Sequence, residues 1–144
     1  MIKRIGLCAL ALVACILSIQ AQTQVIAHRG FWKTEGSAQN SITALEKAAE
    51  AKLYGSEFDV LMTVDGKMVV NHDNTIEGMI IPETPYKQLK KLKIKNGEKL
   101  PTLKNYLKKG KKLDIQLILE AKPLPTKEME DQAIATIVKM VKKM

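Results

Sequence analysis

Apolar and polar positions alternate between two periods along this chain, and the changes of period mark its elements. Val25, Ile26 and Ala27 form a short apolar run that ends at His28-Arg29-Gly30, the pattern of a buried strand leading into a loop. Ser37 to Asn40 is polar, and Asn40 is a suitable N-cap for a helix beginning at the next residue. From Ser41 to Tyr54 the apolar residues Ile42, Leu45, Ala48, Ala49 and Leu53 recur at helical spacing, and Gly55 stands where a helix would end. Glu57 to Val64 reads as a strand, Asp65-Gly66 as a hairpin turn, and Lys67 to Asn71 as the returning strand. Thr84-Pro85 predicts an N-cap with proline in the first turn of a helix reaching Leu92. Pro101-Thr102 predicts another start, ahead of a helix over Leu103 to Lys109 that Gly110 closes. A third buried strand spans Ile115 to Leu119. A final helix runs from Lys127 to Lys143, with Ile134, Ile137, Val138 and Val141 on one side.

Strands alternating with helices predict an α/β fold with a parallel sheet, whose sites form at strand C-terminal ends. The loops after three successive strands bring His28-Arg29, then Glu57 and Asp59 with His72, then Glu120 and Lys122.

The first 22 residues stand apart. Lys3 and Arg4 precede an apolar stretch from Ile5 to Ile19, and Gln20-Ala21-Gln22 comes after it. Fifteen residues are short for a membrane span of about 20 and match an export signal cleaved near Ala21. Lipidation at Cys15, after Leu12-Val13-Ala14, is the alternative, as is an uncleaved anchor. The expected product is an exported, periplasmic or extracellular domain over residues 23–144. The two cysteines of the chain, Cys8 and Cys15, fall in the expected leader, so a disulfide framework and a thiolate metal site are excluded for the folded part.

With 46% hydrophobic and 26% charged residues, the chain is neither a disordered tail nor a membrane bundle. Aromatics at 4% argue against a base-stacking nucleic-acid platform. Lysine and arginine total 23 against 15 acids, and two of the 23 are arginines, Arg4 and Arg29. Eleven lysines between Lys87 and Lys112 face one acid, Glu98, which predicts a solvated face or one turned to an anionic surface.

Two histidines, His28 and His72, are the proton-transfer candidates, since imidazole titrates near neutrality. Arg29 offers a planar fork for phosphate, and Lys122 another cation. Glu57 and Asp59, two apart on a strand, share a face and repel unless a proton or cation lies between them. With Glu120 they suit one hard divalent ion, Ca²⁺ or Mg²⁺.

Together, His28-Arg29-Gly30, Asn40, Glu57-Phe58-Asp59-Val60, Asp65-Gly66, Val70-Asn71-His72-Asp73 and Leu119-Glu120-Ala121-Lys122 resemble the N-terminal half of a glycerophosphodiester phosphodiesterase, from about Val25 onward. The resemblance implies a phospholipase C-like TIM barrel, here incomplete, with about three to four βα units. It implies hydrolysis of glycerophosphodiesters to glycerol 3-phosphate and an alcohol, with Ca²⁺ or Mg²⁺. His28 and His72 would be the general acid/base pair, Glu57, Asp59 and Glu120 the metal ligands, and Arg29 and Lys122 the phosphate contacts. Ala38-Gln39-Asn40 departs from the Pro-Glu-Asn frequent in the family. An eightfold barrel usually needs roughly 250 residues, so a truncated chain, or one completed by a second chain, is expected, with weak or absent activity when isolated. The competing readings are an exported non-catalytic module that binds anionic lipid or polymer through its lysines, and a phospholipase in which Phe31 and Trp32 touch intact lipid.

Overall fold

The computed structural model describes residues 23–144. The expected leader, with both cysteines, lies outside the described residues. In chain order the elements are β1 (Ile26–Ala27), α1 (Ile42–Glu50), β2 (Gly55–Met62), β3 (Met68–Val70), β4 (Thr75–Ile76) and β5 (Met79–Ile80). After a 3₁₀ turn at Ile81–Glu83 come α2 (Tyr86–Leu89), α3 (Leu103–Leu113), β6 (Gln116–Ala121) and α4 (Lys127–Val141). No described helix is long and apolar enough to cross a membrane.

β2 is the axis of the main sheet. One of its edges pairs in parallel with β1 and then, further along, antiparallel with β3; the other pairs in parallel with β6. β4 and β5 form a separate small ribbon. The expected parallel sheet is therefore present, with the Asp65-Gly66 hairpin appended to it. The far edge of β6 is unpaired among the described residues, so the sheet is open.

Alternation along β2 explains the packing. Phe58, Val60 and Met62 point to the helices, where they meet Leu45 of α1 and Leu103, Tyr106 and Leu107 of α3. Phe58 and Tyr106 stack with ring centroids 4.4 Å apart. Each such large side chain contributes about 1.5–3 kcal/mol on burial. Leu61 lies on the opposite face and packs with Val69, Ile76, Ile81, Leu89 and Leu100. Glu57 and Asp59 share that second face.

Four local expectations are corrected. Ser41, rather than Asn40, caps α1: its hydroxyl accepts from the Ala44 N–H at 2.9 Å. Thr84-Pro85 does not make a side-chain cap, because the Thr84 hydroxyl donates to the Ile80 carbonyl instead. The helix there is a single turn, and its Tyr86 N–H donates to Asp65 of the hairpin at 2.9 Å. Gly110 lies inside α3, which continues to Leu113 and ends at Asp114 in a left-handed conformation (φ 52). A Cβ at Gly110 would meet Leu117 Cδ1 at 2.5 Å, so the glycine serves close packing of helix on strand. In α4, Ala133, Ile137 and Met140 face the core, whereas Ile134, Val138 and Val141 are 53%, 45% and 50% exposed. The four residues expected on one side thus divide between two stripes.

Candidate active site

The site begins at the turn after β1. Arg29 and Gly30 both have positive φ, 60° and 77°. A side chain at Gly30 would also collide with Ala44 of α1, its Cβ lying 2.6 Å from that of Ala44, so only glycine fits. The turn aims the Arg29 N–H at Glu57 Oε2, 2.7 Å away. The Arg29 guanidinium donates to Gln39 Oε1 at 2.9 Å and holds its Nε 3.7 Å from Asp59 Oδ2. Gln39 thus meets the guanidinium with a neutral amide oxygen.

Asp59 is buried, its side chain 1% exposed. Asn40, also buried and in a left-handed conformation that asparagine tolerates (φ 61), clamps it from both ends. Its Nδ2 donates to Asp59 Oδ2 at 2.9 Å, and its Oδ1 accepts from the Asp59 N–H at 3.1 Å. Local cap rules assign Asn40 to the helix start and miss this role; its place in the quoted residue pattern, and two cap-forming residues in succession where one suffices, were the signals.

Glu120 stands beside Asp59 in the β2–β6 register, which puts it on the same face. One oxygen from each of Glu57, Asp59 and Glu120 can be chosen so that all three lie within 4.8 Å of one another. Lys122 Nζ donates to Glu120 Oε1 at 2.7 Å and is 3.5 Å from Asp59 Oδ1. That hydrogen bond holds the Glu120 carboxyl below its ordinary range and raises the Lys122 ammonium. Burial, reinforced by the charge of Asp59, pushes the Glu57 carboxyl up, against the Arg29 amide that would lower it.

The two histidines flank this trio differently. His28 Nε2 is 3.9 Å from Glu57 Oε2, with the side chain 68% exposed. The His72 ring meets Asp73 Oδ1 at 2.7 Å through Nδ1, which leaves Nε2 for other work. His72 is near enough to Glu120 to help hold its carboxyl ionised. All seven residues singled out in the sequence are therefore brought to one region. The contacts that Asp73, Gln39 and Asn40 make with them are additions.

The oxygens of this donor set are short of partners. Glu57 Oε1 and Asp59 Oδ1 are buried and have no hydrogen-bond partner. Two buried anionic oxygens without hydrogen bonds, one of them with only the Lys122 ammonium 3.5 Å away, are costly unless a cation satisfies them. The residues present fit one divalent ion.

A parallel α/β sheet that gathers acids, imidazoles and a guanidinium where its strands run out has the site placement of an α/β barrel. The family model described as the Glycerophosphoryl diester phosphodiesterase family matches residues 28–144, and the chain belongs to that family. A solved glycerophosphodiester phosphodiesterase from Parabacteroides distasonis is 56% identical, with a TM-score of 0.81 over 83% of this chain and 51% of that one. A phosphodiesterase from Oleispira antarctica, solved in complex with the product sn-glycerol-3-phosphate, is 28% identical, with a TM-score of 0.73 over 83% of this chain and 52% of that one. Among curated relatives, the glycerophosphodiester phosphodiesterase of Caldanaerobacter subterraneus is 37% identical across 57% of this chain and 38% of the relative. The chain thus spans about half the length of these solved structures. Its open sheet is part of a TIM barrel of this family, not a closed one.

Proposed function

We propose that this chain carries the catalytic groups of a cation-dependent phosphodiesterase that cleaves glycerophosphodiesters to glycerol 3-phosphate and an alcohol. The observation that carries the reading is the trio Glu57, Asp59 and Glu120, with two orphaned oxygens, set beside His28 and His72. Glu57, Asp59 and Glu120 would hold the ion, Ca²⁺ or Mg²⁺. When bound, such an ion neutralises charge on the phosphoryl oxygens.

Arg29 and Lys122 bind the remaining phosphoryl oxygens, and the Gln39 contact fixes the orientation of the guanidinium towards them. One imidazole accepts a proton from the attacking water as the new P–O bond forms; the other protonates the departing alcohol oxygen as the old one breaks. Asp73 orients His72 for its share of this work. The apolar leader supports an exported enzyme.

The test is release of glycerol 3-phosphate from glycerophosphocholine by the full chain. With β6 unpaired at its edge, turnover below about 1 s⁻¹ is expected, abolished by chelation, restored by Ca²⁺ or Mg²⁺, and lost in His28→Ala and in His72→Ala. Turnover indifferent to chelator, or surviving either substitution, contradicts the proposal.

A further inference from the structure

Beside the trio opens a cavity of about 920 Å³, lined by Arg29 and Asn40, which hold Asp59, and by His72. The rest of its lining is mostly cationic. Lys33, Lys93 and Lys95 border it, and none has an acidic partner within 4.0 Å among the described residues. Against them stand Glu77 and Asp73, and Asp73 is engaged with His72.

The backbone that carries Lys93 and Lys95 is held in place. Their segment is a tight hairpin, in which the Ile94 N–H donates to the Glu98 carbonyl at 2.8 Å and Lys93 bridges Lys99. The Glu98 carboxylate then accepts from the Ile42 and Thr43 N–H groups at the start of α1, at 3.0 and 3.1 Å. Asn96 ties the hairpin to the Gly36 carbonyl as well. The single acid among eleven lysines is thereby spent on anchoring, which leaves the lysines uncompensated at the cavity.

A cationic alcohol such as choline would seek an open aromatic face. The aromatic ring here, Trp32, has the Lys33 ammonium 5.4 Å from its centroid. We infer that the cavity receives the alcohol portion of the diester and selects an anionic alcohol, one that carries a further phosphate. This rests on the reading of Arg29 and Lys122 as holders of the scissile phosphate, since Arg29 itself lines the cavity and one arm of a diester held there extends into it.

Trp32 is the one tryptophan of the chain, so its emission reports occupation of the cavity without any need for turnover. The full chain is titrated with glycerophosphocholine and with glycerophosphoglycerol phosphate, in Mg²⁺ and again with chelator. The phosphorylated ligand should act at a concentration about tenfold lower. That preference should shrink as salt rises from about 0.05 to 0.5 M and disappear in the double variant Lys93→Gln/Lys95→Gln. Equal or tighter choline binding, no emission response to either ligand, or a preference unchanged in the double variant overturns the inference. A chain that ranks the ligands as expected but hydrolyses neither keeps this inference and loses only the proposed activity.

Discussion

Glu57 and Glu98 are both half-buried glutamates, and the fold treats them in opposite ways. Glu98 receives the Ile42 N–H on one oxygen, and the Thr43 N–H with the Asn96 amide on the other. Burial alone would raise its carboxyl, but the hydrogen bonds of Thr43, Asn96 and Ile42 outweigh burial and hold it below the ordinary value of 4.5. Glu57 receives one backbone N–H on Oε2 and nothing on Oε1, and burial wins. The same side chain is thus a finished structural clamp in one place and an unfinished ligand set in the other. A fold built for stability alone would satisfy both; the deficit at Glu57 Oε1, beside Asp59 and Glu120, is where a cation is needed.

The contrast can be broken or sharpened by substitution. The largest effect is expected from Glu57→Gln, which should cut glycerol 3-phosphate release by about 100-fold or more while leaving the chelated chain as stable as before, or more so, in thermal unfolding. Asn40→Ala, which strips both hydrogen bonds from Asp59, should lower cation affinity by about 10–100-fold in a calorimetric titration. Glu98→Ala should do the reverse of Glu57→Gln. It should cost about 1–2 kcal/mol in denaturant unfolding, because two N–H groups at the start of α1 lose their acceptor, and it should leave cation affinity within about twofold.

Acid titration separates the two glutamates by sign. The lowered carboxyl of Glu98 contributes stability that is full above its ordinary value and lost as pH falls through the folded one. The raised carboxyl of Glu57 costs stability while it is ionised, and protonation relieves that cost. Unfolding free energy followed against pH should therefore fall less steeply towards acid in Glu98→Gln than in the parent chain. In Glu57→Gln the gain over the parent should be largest near neutrality. The smallest change is expected for Asp65→Ala, about 1 kcal/mol or less, read by the same unfolding measurement. Asp65 plays the part of Glu98 on a smaller scale: it takes the Thr63 hydroxyl and the Tyr86 N–H, which together hold its carboxyl down.

The sequence made some of this legible and hid the rest for a physical reason. Period-two alternation set the faces of β2, so that Glu57 and Asp59 were seen to share one, and Asp65-Gly66 marked the hairpin. Strand order brought Glu120 and the two histidines to the same end. Hidden were the contacts made across long separations. The N–H groups of α1 find their acceptor at Glu98, 55 and 56 residues away, and Tyr86 finds its own at Asp65. Local cap rules cannot foresee a carboxylate delivered by a distant loop. Gly110 misled for a related reason, since its missing side chain makes room for Leu117 and does not end a helix. Ile134, Val138 and Val141 show the limit of periodicity, which finds apolar positions on α4 but not which of them the fold covers.

Cation binding by the Glu57 trio is tested most directly by the thermal shift that Ca²⁺ or Mg²⁺ produces in three chains: the parent, Glu98→Gln and Glu57→Gln. A ligand that binds the folded form alone raises its melting temperature. The rise should be of similar size in the parent and in Glu98→Gln, the latter from a lower starting point, and absent in Glu57→Gln. A rise of equal size in Glu57→Gln, or none in the parent, would contradict a cation held by these carboxylates.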